Sequence, residues 1–261
     1  MPNHSPLLET INLTKHFGGV AALAGVDFTL FEGEILGLIG PNGAGKTTFI
    51  NVVTGLDRAT RGEVRYRGQS ITSASSHHIA RLGLARTFQV TKPFRHLTVL
   101  ENVAVGSMFG AGGAQRNTAA AFDKAEQVIN FVGMKAKLKW PADRLTIADL
   151  KRLELAKSLA MEPQVLLLDE VMAGLHGSEI LEAMDLLRQI HASGTTLLVV
   201  EHVMKAIMGL SQRIVVLEFG KKIAEGTPAQ IVENPKVIAA YLGHRYAKKS
   251  QSAGELAREG P

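Results

Sequence analysis

The chain has 261 residues, of which 46% are hydrophobic and 20% charged, so it can bury the core of one large α/β domain or of a domain with an inserted lobe. It contains no cysteine, which excludes disulfides and thiolate metal sites and fits a reducing compartment. The net charge of +5 comes from scattered basic residues, so we expect no nucleic-acid partner.

The sequence has no pattern of a membrane-inserted or exported segment. Its first residues lack the basic-then-apolar order of a signal peptide. A helix that crosses a bilayer needs about 20 apolar residues, and the longest apolar stretches are interrupted by Asp27, Asp169 or Glu201. We therefore predict a cytosolic protein, or one that reaches a membrane only through a partner.

In chain order, the first region predicts a small antiparallel sheet. Residues 7–33 and 62–70 have the pattern of short strands. Dipeptides that favour turns separate these strands, at Gly18-Gly19, Glu32-Gly33 and Arg67-Gly68.

Four apolar runs predict buried parallel strands, because each run is continuous rather than alternating with polar residues. The runs are Ile35–Ile39, Val165–Leu168, Leu197–Val200 and Ile214–Leu217. The helical patterns that alternate with them are Thr47–Thr54, Ile180–His191 and Val203–Leu210. Such alternation is typical of a parallel sheet with helices on both faces.

Residues of about 90–160 contain no convincing strand and predict an inserted helical lobe. Its helical patterns are Leu97–Val105, Thr118–Val132 and Ala148–Ala160. Residues 244–261 are polar, and we expect them to form a frayed, disordered tail. The predicted domain therefore covers residues 7–243.

The segment after the first parallel strand matches the phosphate-binding motif G-x-x-x-x-G-K-[ST] without a gap. Its residues are Gly40, Pro41, Asn42, Gly43, Ala44, Gly45, Lys46 and Thr47, followed by Thr48. The glycines let backbone N–H groups point inward, and the following helix adds the positive end of its dipole. Lys46 can reach the β- and γ-phosphates, and the Thr47 hydroxyl can bind Mg²⁺. The motif predicts ATP and Mg²⁺ as ligands.

The predicted fold is therefore α/β. It combines the parallel sheet core of a P-loop NTPase with a small antiparallel β subdomain and an inserted α-helical lobe.

Two carboxylates end the second parallel strand, in the run Val165-Leu-Leu-Leu-Asp169-Glu170. Asp169 can hold Mg²⁺ or its water, and Glu170 can orient and polarise the water that attacks the phosphate. A solvated acidic pair at a strand end is the alternative, but the phosphate loop favours the functional interpretation. The sequence has no N-K-x-D motif, which argues against a GTPase.

With these motifs the chain resembles the ATP-binding subunits of ABC transporters over roughly residues 7–243. The resemblance places Phe17 where an aromatic side chain stacks on adenine; a core residue of the small sheet is the alternative. It gives Gln89 the role of sensing Mg²⁺ and the γ-phosphate between the lobes. It makes His202 the switch histidine that contacts the γ-phosphate, and it puts His176 in the loop that crosses the dimer interface, where Asp is usual.

Three stretches make the chain most similar to the ATPases of branched-chain amino acid importers: Phe17–Leu23, Phe94–Val103 and Gly220–Leu242. The resemblance implies integral membrane permease subunits, a second ATPase subunit in a homo- or heterodimer, and a solute-binding protein as partners. It also implies a peripheral position on the cytoplasmic face of the inner membrane. Residues near Phe94–Leu97 and Val103–Met108 would contact the permease, or would form part of the core of the lobe.

The signature stretch departs from the family pattern. The family has Leu-Ser-Gly-Gly-Gln before a helix, and the residues aligned with it are Leu145, Thr146, Ile147, Ala148 and Asp149. The resemblance implies that this stretch faces the ATP bound to the opposite subunit. Thr146 has a hydroxyl group, as the serine of the family pattern does. Ala148 adds a methyl group where the backbone approaches the nucleotide. Asp149 either brings a negative charge near a phosphate or is an ordinary residue of the helix cap.

From Ala148 and Asp149 we hypothesise a weaker signature at one of two composite ATP sites. Two alternatives to a transporter ATPase stay open. A soluble ABC-type switch is disfavoured because the chain has one domain and no heptad run. A regulatory subunit that binds ATP without hydrolysis is favoured by the unusual signature and disfavoured by Glu170, Gln89 and His202.

Overall fold

The computed structural model describes residues 6–89, 91–111 and 117–242, which form ten β-strands and nine α-helices. The strands are β1 (Pro6–Phe17), β2 (Val20–Phe31), β3 (Ile35–Ile39), β4 (Arg61–Tyr66), β5 (Gln69–Ser70), β6 (Leu84–Arg86), β7 (Val165–Asp169), β8 (Thr196–Val200), β9 (Arg213–Glu218) and β10 (Lys221–Gly226). The helices are α1 (Lys46–Val53), α2 (Ser76–Arg81), α3 (Val99–Phe109), α4 (Thr118–Phe131), α5 (Ile147–Leu159), α6 (Ser178–Ala192), α7 (Met204–Leu210), α8 (Pro228–Glu233) and α9 (Pro235–Leu242). The predicted tail, residues 244–261, lies outside the described residues.

The larger sheet has the strand order β10-β9-β3-β8-β7-β6. Its five strands from β9 to β6 are parallel, and β10 pairs antiparallel with β9 at one edge. The four predicted apolar runs lie in β3, β7, β8 and β9, so the parallel core is confirmed. The carboxyl ends of β3, β7 and β8 lie side by side, which is where ligands bind in open α/β sheets.

Both faces of this sheet are covered, which explains why its strands are continuously apolar. On β3, Leu36 and Leu38 join the core formed with α1 and the antiparallel sheet. Ile35 and Ile39 point to the other face and join the core formed with α6 and α7. Because successive side chains of a strand point to opposite faces, a strand between two cores needs apolar residues at every position.

The antiparallel sheet has the order β2-β1-β4-β5 and confirms the predicted β subdomain. The expectation of short strands was wrong for residues 7–33, since β1 and β2 each contain 12 residues, but was confirmed for residues 62–70, where β4 has six residues and β5 has two. Pairing continues because the chain bulges where the register shifts between Thr10 and Leu13, and Asn12 adopts a φ of 48° there. The bulge lets polar residues enter a strand without ending it.

Two strands of the larger sheet were not predicted. β6 has only three residues, which is too short for a recognisable pattern. β10 has only one buried residue, Ala224, and lacks an apolar pattern because it lies at the sheet edge.

Helices α3, α4 and α5 pack around a core of their own, built from Val99, Val103, Ala125, Ile129, Leu153 and Ala156 among others. Helix α3 extends beyond the predicted end at Val105, because Gly106 allows close packing rather than ending the helix. A Cβ atom on Gly106 would lie 2.3 Å from the Lys157 carbonyl oxygen of α5. Within the described parts of the chain, no helix combines the length and the apolar character that crossing a membrane requires.

Candidate nucleotide site

The loop between β3 and α1 has a backbone path that requires glycine at two positions. Gly40 has a φ of 154°, and a Cβ atom there would lie 2.1 Å from the Leu217 carbonyl oxygen. Gly45 has a φ of 102°, and its Cβ atom would lie 2.5 Å from the Ala22 carbonyl oxygen. Both positions combine a left-handed backbone with no room for a side chain. The loop is therefore packed closely against the backbone of β9 at Leu217 and of β2 at Ala22.

The Lys46 ammonium lies over this loop. Its Nζ donates hydrogen bonds to the carbonyl oxygens of Gly40, at 2.7 Å, and Pro41, at 3.1 Å. Burial lowers the pKa of Lys46, and the negative charges of Glu170 and Asp169 offset part of this effect. The loop and the acidic strand end are therefore electrostatically coupled through one cation.

A cleft of about 740 Å³ joins the loop and the start of α1 to four residues from other parts of the fold. It is lined by Ala22, Asn42, Gly43, Ala44, Gly45, Lys46, Thr47, Thr48, Gln89, Glu170 and His202. The lining therefore brings together most of the residues that the sequence singled out. Gly40 and Pro41 of the loop are not among the lining residues, but their carbonyl oxygens accept hydrogen bonds from Lys46.

Glu170 stands at the centre of the polar contacts in the cleft. Gln89 Nε2 donates a hydrogen bond of 2.7 Å to Glu170 Oε2, and His202 Nδ1 lies 3.8 Å from Oε1. The backbone of Glu170 has a φ of 52°, which is unusual for a residue with a side chain. This conformation turns the chain at the end of β7 and leaves the carboxylate on the cleft surface.

Asp169 lies beneath Glu170 and is 1% exposed. Its Oδ2 is 3.5 Å from Arg86 Nη2, and its backbone N–H donates to Thr87 Oγ1 at 3.1 Å. Its Oδ1 has no hydrogen-bond partner among the described residues. Burial raises the pKa of Asp169, Arg86 opposes this shift, and Glu170 adds to it. A buried carboxylate oxygen that lacks a hydrogen-bond partner is suited to bind a cation.

Phe17 lies at the end of β1 and is 48% exposed, so it is not a core residue of the small sheet. It pairs across the β1–β2 turn with Val20, while Ala22 further along β2 lines the cleft. Lys15 Nζ lies 4.7 Å from the centre of the Phe17 ring. Phe17 itself is not among the cleft-lining residues, so its contact with adenine stays a prediction.

Thr146 lies outside this cleft, at the start of α5, where it forms the helix cap. Its hydroxyl donates to Asp149 Oδ2 at 2.7 Å and accepts from the Asp149 N–H at 3.2 Å. Lys137 Nζ contacts both oxygens of the Asp149 carboxylate at 2.6 Å. Burial opposes ionisation, but hydrogen bonds from Lys137 and Thr146 prevail and lower the pKa of Asp149. Of the two interpretations of Asp149, the geometry supports the cap residue.

Sequence reasoning missed three residues that support the cleft. Lys151 Nζ donates to the carbonyl oxygens of Gln89 and Glu170, both at 3.0 Å. Arg86 donates to Asn51 Oδ1 of α1 at 2.7 Å. Thr87 Oγ1 accepts a hydrogen bond from the backbone N–H of Asp169. Arg86 and Thr87 lie next to the motif around Gln89, which was a usable signal, whereas nothing in the sequence distinguishes Lys151 from other helix lysines.

Comparison with known proteins agrees with these motifs. The family model described as ABC transporter matches residues 23–173, which is more than half of the chain. A second model, described as branched-chain amino acid ATP-binding cassette transporter, matches residues 221–247. The chain is 38% identical over 250 residues to the high-affinity branched-chain amino acid transport ATP-binding protein LivG of Escherichia coli (strain K12). This match covers 91% of the chain and 98% of LivG.

Solved structures give the same assignment. The ADP conformation of MJ1267, an ATP-binding cassette of an ABC transporter, matches with a TM-score of 0.82 and 29% identity, covering 92% of this chain and 100% of MJ1267. The dimeric post-hydrolysis state of the cassette MJ0796, bound to ADP and Pi, matches with a TM-score of 0.77 and 25% identity over 85% of this chain and 99% of that one. Together with the cleft, these matches show that the chain belongs to the ABC transporter family as one of its ATP-binding cassettes.

Proposed function

We propose that this chain is the ATP-hydrolysing subunit of an importer for branched-chain amino acids or similar small solutes. The observation that carries the proposal is the 38% identity to LivG, which extends over nearly the full length of both chains. The hydrolytic part of the proposal is supported by the cleft, where Glu170 and Gln89 share a hydrogen bond beside the phosphate loop.

The phosphate loop would bind the triphosphate of ATP. Backbone N–H groups of residues 43–48 and the N-terminus of α1 supply partial positive charge, and Lys46 adds a full charge. Phe17 would stack on adenine at the neighbouring end of β1. Base stacking on an aromatic ring contributes about 1–3 kcal/mol and needs no hydrogen-bond pattern.

The residues around Asp169 suit a magnesium ion. Thr47 would supply a hydroxyl, Asp169 a carboxylate and Gln89 an amide oxygen, which are the ligands that Mg²⁺ prefers. The unpartnered Oδ1 of Asp169 supports this assignment. When bound, Mg²⁺ would neutralise part of the charge on the β- and γ-phosphates.

Hydrolysis would depend on the orientation of a water molecule by Glu170. Its carboxylate accepts a hydrogen bond from the water and directs the water oxygen toward the γ-phosphorus, in line with the bond to the leaving ADP oxygen. Lys46 and His202 then stabilise the charge on the transferred phosphoryl group. The hydrogen bond from Gln89 orients the Glu170 carboxylate, and His202 lies 3.8 Å from its other oxygen.

Two cassettes would bury each ATP between the phosphate loop of one and the signature of the other, as the dimeric match to MJ0796 suggests. Thr146 lies away from its own cleft, which fits a role at the partner's nucleotide. Asp149 would contribute little charge there, because Lys137 and Thr146 hold its carboxylate. The partner is an identical or a different ATPase subunit.

The helical lobe would couple this closure to permease subunits at the cytoplasmic face of the membrane, with a solute-binding protein delivering the solute. Gln89 follows β6, where the chain leaves the sheet for the lobe, and it also contacts Glu170 in the cleft. A change at the nucleotide would therefore reach the lobe through Gln89. Phe94 is 51% exposed and available for contact, whereas Val103 and Ala104 are buried in the core of the lobe. The contact surface would therefore centre on Phe94.

A purification and reconstitution experiment tests the proposal. The full chain is isolated from solubilised membranes of its source, and the proteins that copurify are identified. The complex is then placed in liposomes, and ATP hydrolysis is measured with leucine, isoleucine or valine, with a Lys46→Ala complex as the inactive control. We expect integral membrane subunits and hydrolysis that depends on solute. Absence of membrane subunits, or hydrolysis indifferent to all three amino acids, would contradict the substrate assignment.

A further inference from the structure

Glu201 is a buried acid that has no part in the proposed hydrolysis of ATP. It follows the last residue of β8 and precedes His202, and it is 1% exposed. Its Oε1 accepts a hydrogen bond of 2.7 Å from the backbone N–H of Met172. A buried carboxylate costs free energy that one hydrogen bond does not fully repay, so its place beside the cleft calls for an explanation.

Two successive residues, Val200 at the end of β8 and Glu201 directly after it, hold the segment that carries Glu170. Val200 pairs with Asp169 in the parallel ladder, and its carbonyl oxygen accepts from the Glu170 N–H at 2.9 Å. Glu201 then accepts from the Met172 N–H with its side chain. The carboxylate of Glu201 thus continues the pairing of β7 and β8 beyond the point where backbone pairing ends.

The segment between these two contacts is strained. Glu170 has a φ of 52°, and a left-handed backbone at a residue with a side chain persists only when its surroundings enforce it. One end of the segment is fixed by the Glu170 N–H on Val200, and the other by the Met172 N–H on Glu201. Without Glu201, only the first of these two anchors from β8 would be left.

We propose that Glu201 is a positioning residue, which holds the 170–172 turn so that the Glu170 carboxylate keeps its place in the cleft. The inference rests on the proposed function, in which Glu170 orients the attacking water. A displacement of about 1 Å in a catalytic group can lower the rate by up to about 10²-fold. The effect of Glu201 would therefore fall on turnover rather than on ATP binding.

The acceptor oxygen of Glu201, rather than its charge, performs this role. Its second oxygen, Oε2, has no hydrogen-bond partner among the described residues. Burial raises the pKa of Glu201 to about 7, and the nearby Glu170 adds to this, while the Met172 N–H, His202 and Lys151 act in the opposite direction. A neutral group with a carbonyl oxygen at the same place would still accept from Met172. Glutamine has that oxygen, and leucine has a similar volume without it.

The test compares Glu201→Leu and Glu201→Gln in the full chain, assembled with its membrane subunits. We expect Glu201→Leu to lower kcat about tenfold or more while the KM for ATP changes less than about twofold. Glu201→Gln should retain at least about half of the wild-type kcat. Thr10→Val is the matched control, because it removes a buried hydrogen bond to Val26 in the antiparallel sheet, away from the cleft.

Three results would overturn the proposal. One is a Glu201→Leu protein with wild-type kcat. Another is an equal loss of kcat in Glu201→Leu, Glu201→Gln and Thr10→Val that follows their melting temperatures. If Glu201→Leu does not fold, Glu201→Asp decides, since its shorter side chain moves the acceptor; an unchanged kcat would be the third. Glu170→Gln, measured in parallel, separates a failure of the inference about Glu201 from a failure of the proposed function. If Glu170→Gln turns over ATP at the wild-type rate, the role of Glu170 is refuted.

Discussion

The buried acids near the cleft differ from the buried acid at the signature. Asp169 and Glu201 each have one carboxylate oxygen without a hydrogen-bond partner among the described residues, and burial raises the pKa of both. Asp149 is also buried, but Lys137 and Thr146 bind its oxygens, and its pKa is lowered. Incomplete pairing leaves Asp169 an oxygen for a cation and leaves Glu201 with one anchoring hydrogen bond to Met172, whereas the fully paired Asp149 is part of a helix cap.

The largest expected effect comes from removing the charge of Glu170 in the cleft. We expect Glu170→Gln to lower kcat by about 10²–10⁴-fold, because a positioned base contributes this much. ATP affinity should be retained, since the phosphate loop and Lys46 are unchanged. Phosphate release by the assembled complex measures turnover, and a fluorescent ATP analogue measures binding.

The matched control for this experiment is Glu233→Gln, which neutralises an exposed glutamate of α8 far from the cleft lining. It should turn over at the wild-type rate. If Glu170→Gln behaves like Glu233→Gln, the cleft is not the place where water is activated, and the contrast with the signature loses its functional meaning.

The second effect is a dependence of stability on pH that Glu201 produces. Its pKa is about 7 in the folded chain and near 4.5 in the unfolded chain, so between these values the folded state binds more proton. This group therefore lowers stability as pH rises from about 4.5 to 7, by at most about 3 kcal/mol. The groups that face it are His202, Glu170 and Lys151.

Thermal unfolding at several pH values checks this expectation. Because Glu201→Gln cannot titrate, the difference in melting temperature between this variant and the wild type should grow in favour of the variant from pH 4.5 to 7. A difference that stays constant over this range would show that Glu201 ionises normally, and the contrast between unpaired and paired acids would no longer hold.

Restoring the signature should have a smaller effect on turnover. Ala148→Gly removes a methyl group at the surface that would face the partner's ATP, and we expect a rise in kcat of up to about fivefold, or about 1 kcal/mol. Asp149→Gln should change the rate less, because its charge is already held by Lys137. Both are measured in the assembled complex. If neither rate nor ATP dependence changes, the hypothesis of a weaker signature is excluded.

The sequence predicted the parallel core because β3, β7, β8 and β9 are buried on both sides and must be apolar throughout. It did not reveal β10, whose edge position permits polar residues. It also ended α3 too early, because a glycine that allows close helix packing has the same appearance in sequence as one that ends a helix. Hydrophobic patterns in the sequence predict burial well, but they do not show where the backbone of a distant segment comes close.

The candidate site shows the same division. The sequence identified the loop at Gly40–Thr48 and the pair Asp169 and Glu170 as candidate site residues, because each of these motifs consists of neighbours in sequence. Among the supports of the cleft, Lys151 and Glu201 could not be identified, because they act on backbone groups that are distant in sequence, such as those of Gln89 and Met172. The orientation of Asp149 was also undecided, because its partner Lys137 lies 12 residues away in a separate turn.

The smallest effect concerns that partner. Lys137 has a side chain that is 31% exposed, so we expect Lys137→Met to lower stability by less than about 1 kcal/mol near neutral pH. Because the pKa of Asp149 is lowered in the folded chain, the stabilisation is present above its usual value of 3.8 and is lost as pH falls through the folded value. Melting temperatures of the variant and the wild type should therefore converge in acid, whereas Lys135→Met, which alters an exposed lysine of the same turn, should match the wild type throughout. A Lys137→Met protein that remains as stable as the wild type at neutral pH would mean that the Thr146 cap alone holds Asp149.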